Sequence, residues 1–287
     1  MPNPVTTMPA SDVVAGLAKL ELDRYSRLAM AVVMCYDYAL TIDREIDLIW
    51  RSKWSLPKVL FLLTRYYGLS IAVFGLYILF GDQSTDEVSL AYLRWSTFSA
   101  YSFSLLTQGV LQIRVYALYN SNKRILAFML LFFVTSTVVA GRAAIGEMVL
   151  FRPGNVKSID LAGTRMCTNN GLPGPAYLLW VAYMAFESML CVLVLYKGYQ
   201  TFFLDGLPFT GRNLLDIMVR DSATVFLLMT AAYTACLVVV LATTPDHINI
   251  PAVFSLMLSE VLCTRMVLNL RQAGKHTEEV IYLTTLS

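Results

Sequence analysis

Six ionisable side chains, Asp37, Arg65, Arg114, Glu187, Glu260 and Arg265, stand within long apolar runs of a 287-residue chain. A charge among apolar neighbours is costly, so such groups face other polar groups and pair, relay protons or meet a ligand. Counting along the runs puts Asp37, Arg65, Arg114 and Arg265 in one inner tier and Glu187 and Glu260 near mid-depth. The inner tier reads as a network in which Asp37 pairs with Arg65 or Arg114. It either fixes helix order or acts as a latch whose opening exposes a cytoplasmic surface.

The third run adds Thr97, Tyr101, Ser104, Gln108 and Gln112, spaced by four, three, four and four residues, which is one helical face. One reading is ordinary helix packing, with each hydroxyl or amide contributing about 0.6 kcal/mol through hydrogen bonds to neighbours. The sharper reading is a cavity lined by Tyr101, Ser104, Gln108, Glu187 and Glu260, open outward to a small polar or cationic ligand. The identity of that ligand is left open.

Other chemistry lacks its residues. The last apolar run carries no lysine for a retinal Schiff base, and the two histidines, His247 and His276, lie outside the runs. Membrane zinc and haem centres need ligands at helix depth. No nucleophile elbow or phosphate-cradling glycine loop occurs. The expectation is no catalytic residue, no metal, no cofactor and no enzyme.

These side chains require helices that hold them at depth. Apolar runs cover about 59–80, 125–145, 176–199, 223–243 and 251–268, with two more interrupted ones at about 25–42 and 91–119. At roughly 1.5 Å per residue, about 20 helical residues cross a hydrocarbon layer of roughly 30 Å. Apolar residues make up 57% and charged residues 15%, against roughly 45–50% and 25% in soluble domains. The net charge of +2 shows no basic face for nucleic acid. The expected fold is all-α, an integral membrane bundle of seven transmembrane helices with the lipid bilayer as partner. A polar leader spans residues 1–24, the membrane domain 25–270 and a short tail 271–287.

Basic residues between the runs set the orientation, because they are retained in the cytoplasm. Arg44, Arg51, Lys53, Lys58, Lys123, Arg124, Arg212, Arg220, Arg271 and Lys275 fall on one side. Fewer fall on the other: Lys19, Arg24, Arg27, Arg152, Lys157 and Arg165. The expectation is an outside N-terminus and a cytoplasmic C-terminus, with no cleavable signal in the leader. Residues 43–54 place Ile42, Ile46, Ile49 and Trp50 on one face, which predicts an amphipathic inner-surface helix or an extension of the first span. The long outer connection, 146–175, has the glycines and prolines of a loop and contains Cys167. The other cysteines lie within spans as packing residues.

The segment YDYALTIDREIDLIWRSKWSLPKVLFLLTRYYGL, residues 36–69, resembles the N-terminal signature of a large fungal family of multi-pass membrane proteins catalogued as a domain of unknown function. LQIRVYALYNSNKRIL (111–126), FESMLCVLVLYKGY (186–199), LLDIMVRDSATVFLL (214–228) and SEVLCTRMVLNLR (259–271) resemble it further. The resemblance implies a seven-helix membrane fold and no established activity. Seven helices with an outside N-terminus are also similar in architecture to G-protein-coupled receptors. The chain departs from those in having no acidic residue immediately before Arg114, no NPxxY pattern in the seventh span and no cysteine at the outer end of the third span to pair with Cys167. The function expected is a receptor-like sensor, in the plasma membrane, of an external ligand with a cytoplasmic signalling partner. The alternative is a transporter or a structural or accessory subunit.

Overall fold

The computed structural model describes residues 10–80, 86–150, 156–161, 164–169, 177–201, 214–242 and 249–286. His247, Asp82, Arg152, Arg212 and most of the glycines and prolines of connection 146–175 lie outside the described residues. Seven long helices dominate: α1 (Ala10–Glu45), α2 (Leu56–Phe80), α3 (Asp86–Leu118), α4 (Lys123–Leu150), α5 (Tyr177–Tyr199), α6 (Leu214–Ala242) and α7 (Asn249–Leu286). Successive helices are neighbours, α7 returns to α1 to close a ring, and α3 also meets α5, α6 and α7. That inner position explains α3's polar stripe, since a helix with partners on most sides can satisfy polar groups around much of its circumference.

Burial is inverted relative to a water-soluble bundle. Arg65 and Glu187 are at most 1% exposed, whereas Leu131 is 70% exposed and Val192 65%. Five helices, within α2, α4, α5, α6 and α7, are long and apolar enough to cross a bilayer. They point to a multi-pass membrane protein. Helices α1 and α3 are as long, but charged and polar residues interrupt them.

Three local features refine the expected helices. First, α1 starts at Ala10 and α7 ends at Leu286, so both helices run on into the leader and the tail. Second, the connection after α4 holds two strands, β1 (Val156–Leu161) and β2 (Thr164–Asn169). They pair antiparallel with Val156 opposite Asn169 and Leu161 opposite Thr164, and β1 lies beside α3 and α1. Helices and this one hairpin are thus the regular elements among the described residues, and the hairpin stands where the glycines and prolines suggested only loop. Third, residues 43–50 extend the first helix, the second option foreseen, ending in one π-helical turn at Ile46–Trp50. Ile49 there is buried while Ile46 and Trp50 are exposed, because the wider turn rotates them apart.

Candidate charged tier and neighbouring cavity

The buried residues of α1 include Ser26, Met30, Met34, Asp37, Thr41 and Glu45, separated by four, four, three, four and four positions. That period is one helical face. The face changes character along its length: Met30, Ala31 and Met34 are apolar, then Asp37, Thr41 and Glu45 are polar. One helix therefore offers an apolar surface at one depth and ion-pairing groups at the next.

At the polar depth the pairing differs from the expectation. Arg265 Nε on α7 donates to Asp37 Oδ1 at 2.5 Å. Arg65 on α2 instead pairs with Glu45, Nε to Oε2 at 2.6 Å, with both side chains almost fully buried. Arg65 Nη2 also donates to Thr41 Oγ1 at 2.7 Å and to the Tyr38 carbonyl at 3.3 Å. Its guanidinium lies over the Tyr38 ring, 4.7 Å from the centroid. Glu45 Oε1 accepts from Trp50 Nε1 and from the Tyr66 hydroxyl, each at 3.0 Å. The expected Asp37–Arg65 pair is therefore replaced by Asp37–Arg265 and Glu45–Arg65. The cause is register: α1 and α2 run antiparallel through a short connection, and Asp37 stands one helical turn, roughly 6 Å, farther from that connection than Thr41.

Arg114, the fourth member expected, has no carboxylate within ion-pair distance among the described residues. Its Nη1 donates to the Met266 carbonyl at 3.1 Å and its Nη2 to the Met218 carbonyl at 3.5 Å, so it ties α3 to α7 and α6. Arg271 joins the connection after α1 to α7, donating to the Leu48 carbonyl at 2.8 Å and to Ser52 Oγ at 2.6 Å. Glu45 lies beyond an apolar run that ends at Ile42, while Thr41 and Arg271 carry no signal of their own for a site, and none of the three is among the site residues read from the sequence. The spacing of Asp37, Thr41 and Glu45 at i, i+4 and i+8 was the available signal.

The five residues read as a possible ligand cavity separate into two groups. On the α3–α5–α6 side, Tyr101 donates to the Thr137 carbonyl on α4 at 3.1 Å and Ser104 to the Ala100 carbonyl of its own helix at 2.9 Å. Glu187 is fully buried near Tyr183 and Tyr233, whose rings are 6.0 Å apart. Neither carboxylate oxygen of Glu187, nor Gln108 Nε2, has a hydrogen-bond partner among the described residues. Glu260 lies on the other side, close to Gly68 and Phe103 and electrostatically near Arg65 and Asp37. It thus belongs beside the charged tier.

A cavity of about 80 Å³ opens instead between α1, α2, α3 and α7. None of the five lines it. Met30, Ala31 and Met34 of α1 face Gly68, Ala72 and Gly75 of α2, with Trp95 and Phe103 of α3 and Leu256 and Met257 of α7. Small residues on α2 opposite flexible methionines leave the space, a pattern the sequence reading did not weigh. Arg27 and Tyr92 occupy one end, joined by an Nη1 to hydroxyl hydrogen bond of 2.8 Å. Gly68 and Phe103 occupy the other, above Glu260.

Residues 25–70 match the model of a family of unknown function, DUF6533. The match bears out the resemblance read from residues 36–69, to a family defined by an N-terminal domain without assigned function. It spans most of α1, the π turn and the first half of α2, and so contains Asp37, Thr41, Glu45 and Arg65 together with the α1 wall of the cavity. No curated protein and no solved structure matches the chain.

Proposed function

We propose that the chain is a seven-helix membrane sensor, N-terminus outside and C-terminus in the cytoplasm, residing in the plasma membrane. It takes a small molecule in the outer cavity and passes its presence to the inner ends of the helices through the charged tier. The observation that carries this reading is that the cavity and the ion pairs share α1, α2 and α7 at successive depths. Along α1, Arg27 and Glu45 are 18 positions apart, roughly 27 Å of helix, so one rigid element contacts the outer ligand space and the inner pairs. Glu260 on α7 supports the connection, lying between the cavity floor at Gly68 and the Arg65 and Asp37 charges. Expulsion of a ligand or entry of one changes the spacing of α1, α2 and α7, and the pairs hold only one spacing well.

Proximity labelling from a C-terminal tag in native cells tests the proposal. A set of cytoplasmic signalling proteins among the labelled neighbours is the expected result. A single pump or channel recurring as the dominant neighbour would favour the accessory-subunit alternative and overturn the sensor reading.

A further inference from the structure

We infer that Arg142 on α4 holds the phosphate of a phospholipid, in the leaflet at the Leu150 end of that helix. The apolar run 125–145 carries a single charge, and it is Arg142. Helix α4 packs on α3 and α5 and is the least buried of the five spans. Arg142 lies on its open side. Leu131, Val134, Val138, Arg142, Ile145 and Val149 are all exposed and are separated by three, four, four, three and four positions, which is one helical face. That face meets the bilayer.

A guanidinium there needs an anion. No carboxylate among the described residues stands within ion-pair distance of Arg142, and a charge that faces hydrocarbon without a counter-charge is costly. Depth decides which anion answers it. Arg124, in the first turn of α4, and Arg142 are 18 positions apart, roughly 27 Å of helix against roughly 30 Å for the hydrocarbon layer. With Arg124 at one headgroup level, Arg142 falls just inside the other. Ile145 and Val149, one and two turns farther on, keep that face apolar beyond it, so open water does not solvate the charge. The anion present at that depth all around the protein is the lipid phosphate, whose oxygens match the planar fork of an arginine bidentately. Val138, Val134 and Leu131, deeper on the same face, give the acyl chains an apolar track. The site needs only that α4 crosses a bilayer, so it stands or falls apart from the sensor reading.

The test uses the full-length protein in dodecyl maltoside, an uncharged detergent without phosphate. It is titrated with dioleoyl phosphatidylcholine or with dioleoylglycerol, which has the same chains and no phosphate, and native mass spectrometry counts the bound lipids. The intact chain should hold a phosphatidylcholine that Arg142→Gln binds about tenfold more weakly, the loss of a charge-assisted hydrogen bond. Arg142→Lys should keep part of the affinity, and Arg142→Leu, which suits a lipid-facing position, repeats the comparison should the glutamine variant fold poorly. Dioleoylglycerol should bind the intact chain and the variants alike, and inorganic phosphate should not displace the lipid. Phosphatidylcholine binding that is equal in the intact chain, Arg142→Gln and Arg142→Leu would overturn the assignment. Dimers that persist in the phosphate-free detergent and are lost in Arg142→Gln would also overturn it, because a second copy would then supply the anion.

Discussion

At the scale of single residues, the decisive group is Arg65. Its side chain is 1% exposed, and its carboxylate partner is Glu45 rather than Asp37. Removing one member of a buried pair strands the other, a loss typically of about 3–5 kcal/mol. Arg65→Leu should therefore lower the thermal unfolding midpoint in detergent sharply, and adding Glu45→Gln should recover part of the loss. Adding Asp37→Asn to Arg65→Leu should recover nothing, because it breaks the separate pair with Arg265. Recovery by Asp37→Asn and not by Glu45→Gln would show that the pairing is misassigned. That Asp37, Arg65 and Arg265 stand as charges within apolar runs is legible in the sequence. Their partners were not, since a pairing between antiparallel helices depends on the length of the connection, and the first helix had been stopped one turn too soon. The cavity was illegible for a related reason: Ala31, Gly68, Ala72 and Gly75 are silent residues singly, and leave a space only where their helices face one another.

At the scale of elements, α2 comes close to α3 and α7 because position 68 is glycine. A Cβ there would meet Glu260 Cγ and Phe103 Cε2 at 3.0 Å, so both side chains would have to move. Gly68→Ala should cost about 1–3 kcal/mol, as overpacking does, and should weaken binding in the cavity whose floor those residues form. A variant of unchanged stability would contradict this. The orientation of the elements rests on the basic connections. A cysteine at Glu87, at the start of α3, should react with an impermeant thiol reagent on intact cells, and cysteines at Asn122 and Gly274 should not. The opposite pattern would invert the topology and place the cavity on the cytoplasmic side. Helix existence was readable from apolar length at all seven positions, whereas helix ends and the β1–β2 hairpin were not. Ends are set by capping and by neighbours: α3 stops where Asn120 and Ser121 take left-handed φ of 51° and 59° and the Asn122 side chain caps the start of α4.

At the scale of the whole molecule, the proposed sensor requires the charged tier to act as a latch beside the cavity. A latch implies two populated arrangements of the inner helix ends, and a purely structural network implies one. The most direct measurement is the distance distribution between spin labels at Asn122, in the turn between α3 and α4, and Gln272, near the inner end of α7, in nanodiscs. The intact chain is to be compared with the charge-balanced double variant Asp37→Asn with Arg265→Gln, which removes the α1–α7 pair and strands no charge. The account predicts a second, longer-distance population in the variant. A single unchanged distribution in a folded variant would contradict it, and would leave the tier as a fastening between helices and not a switch.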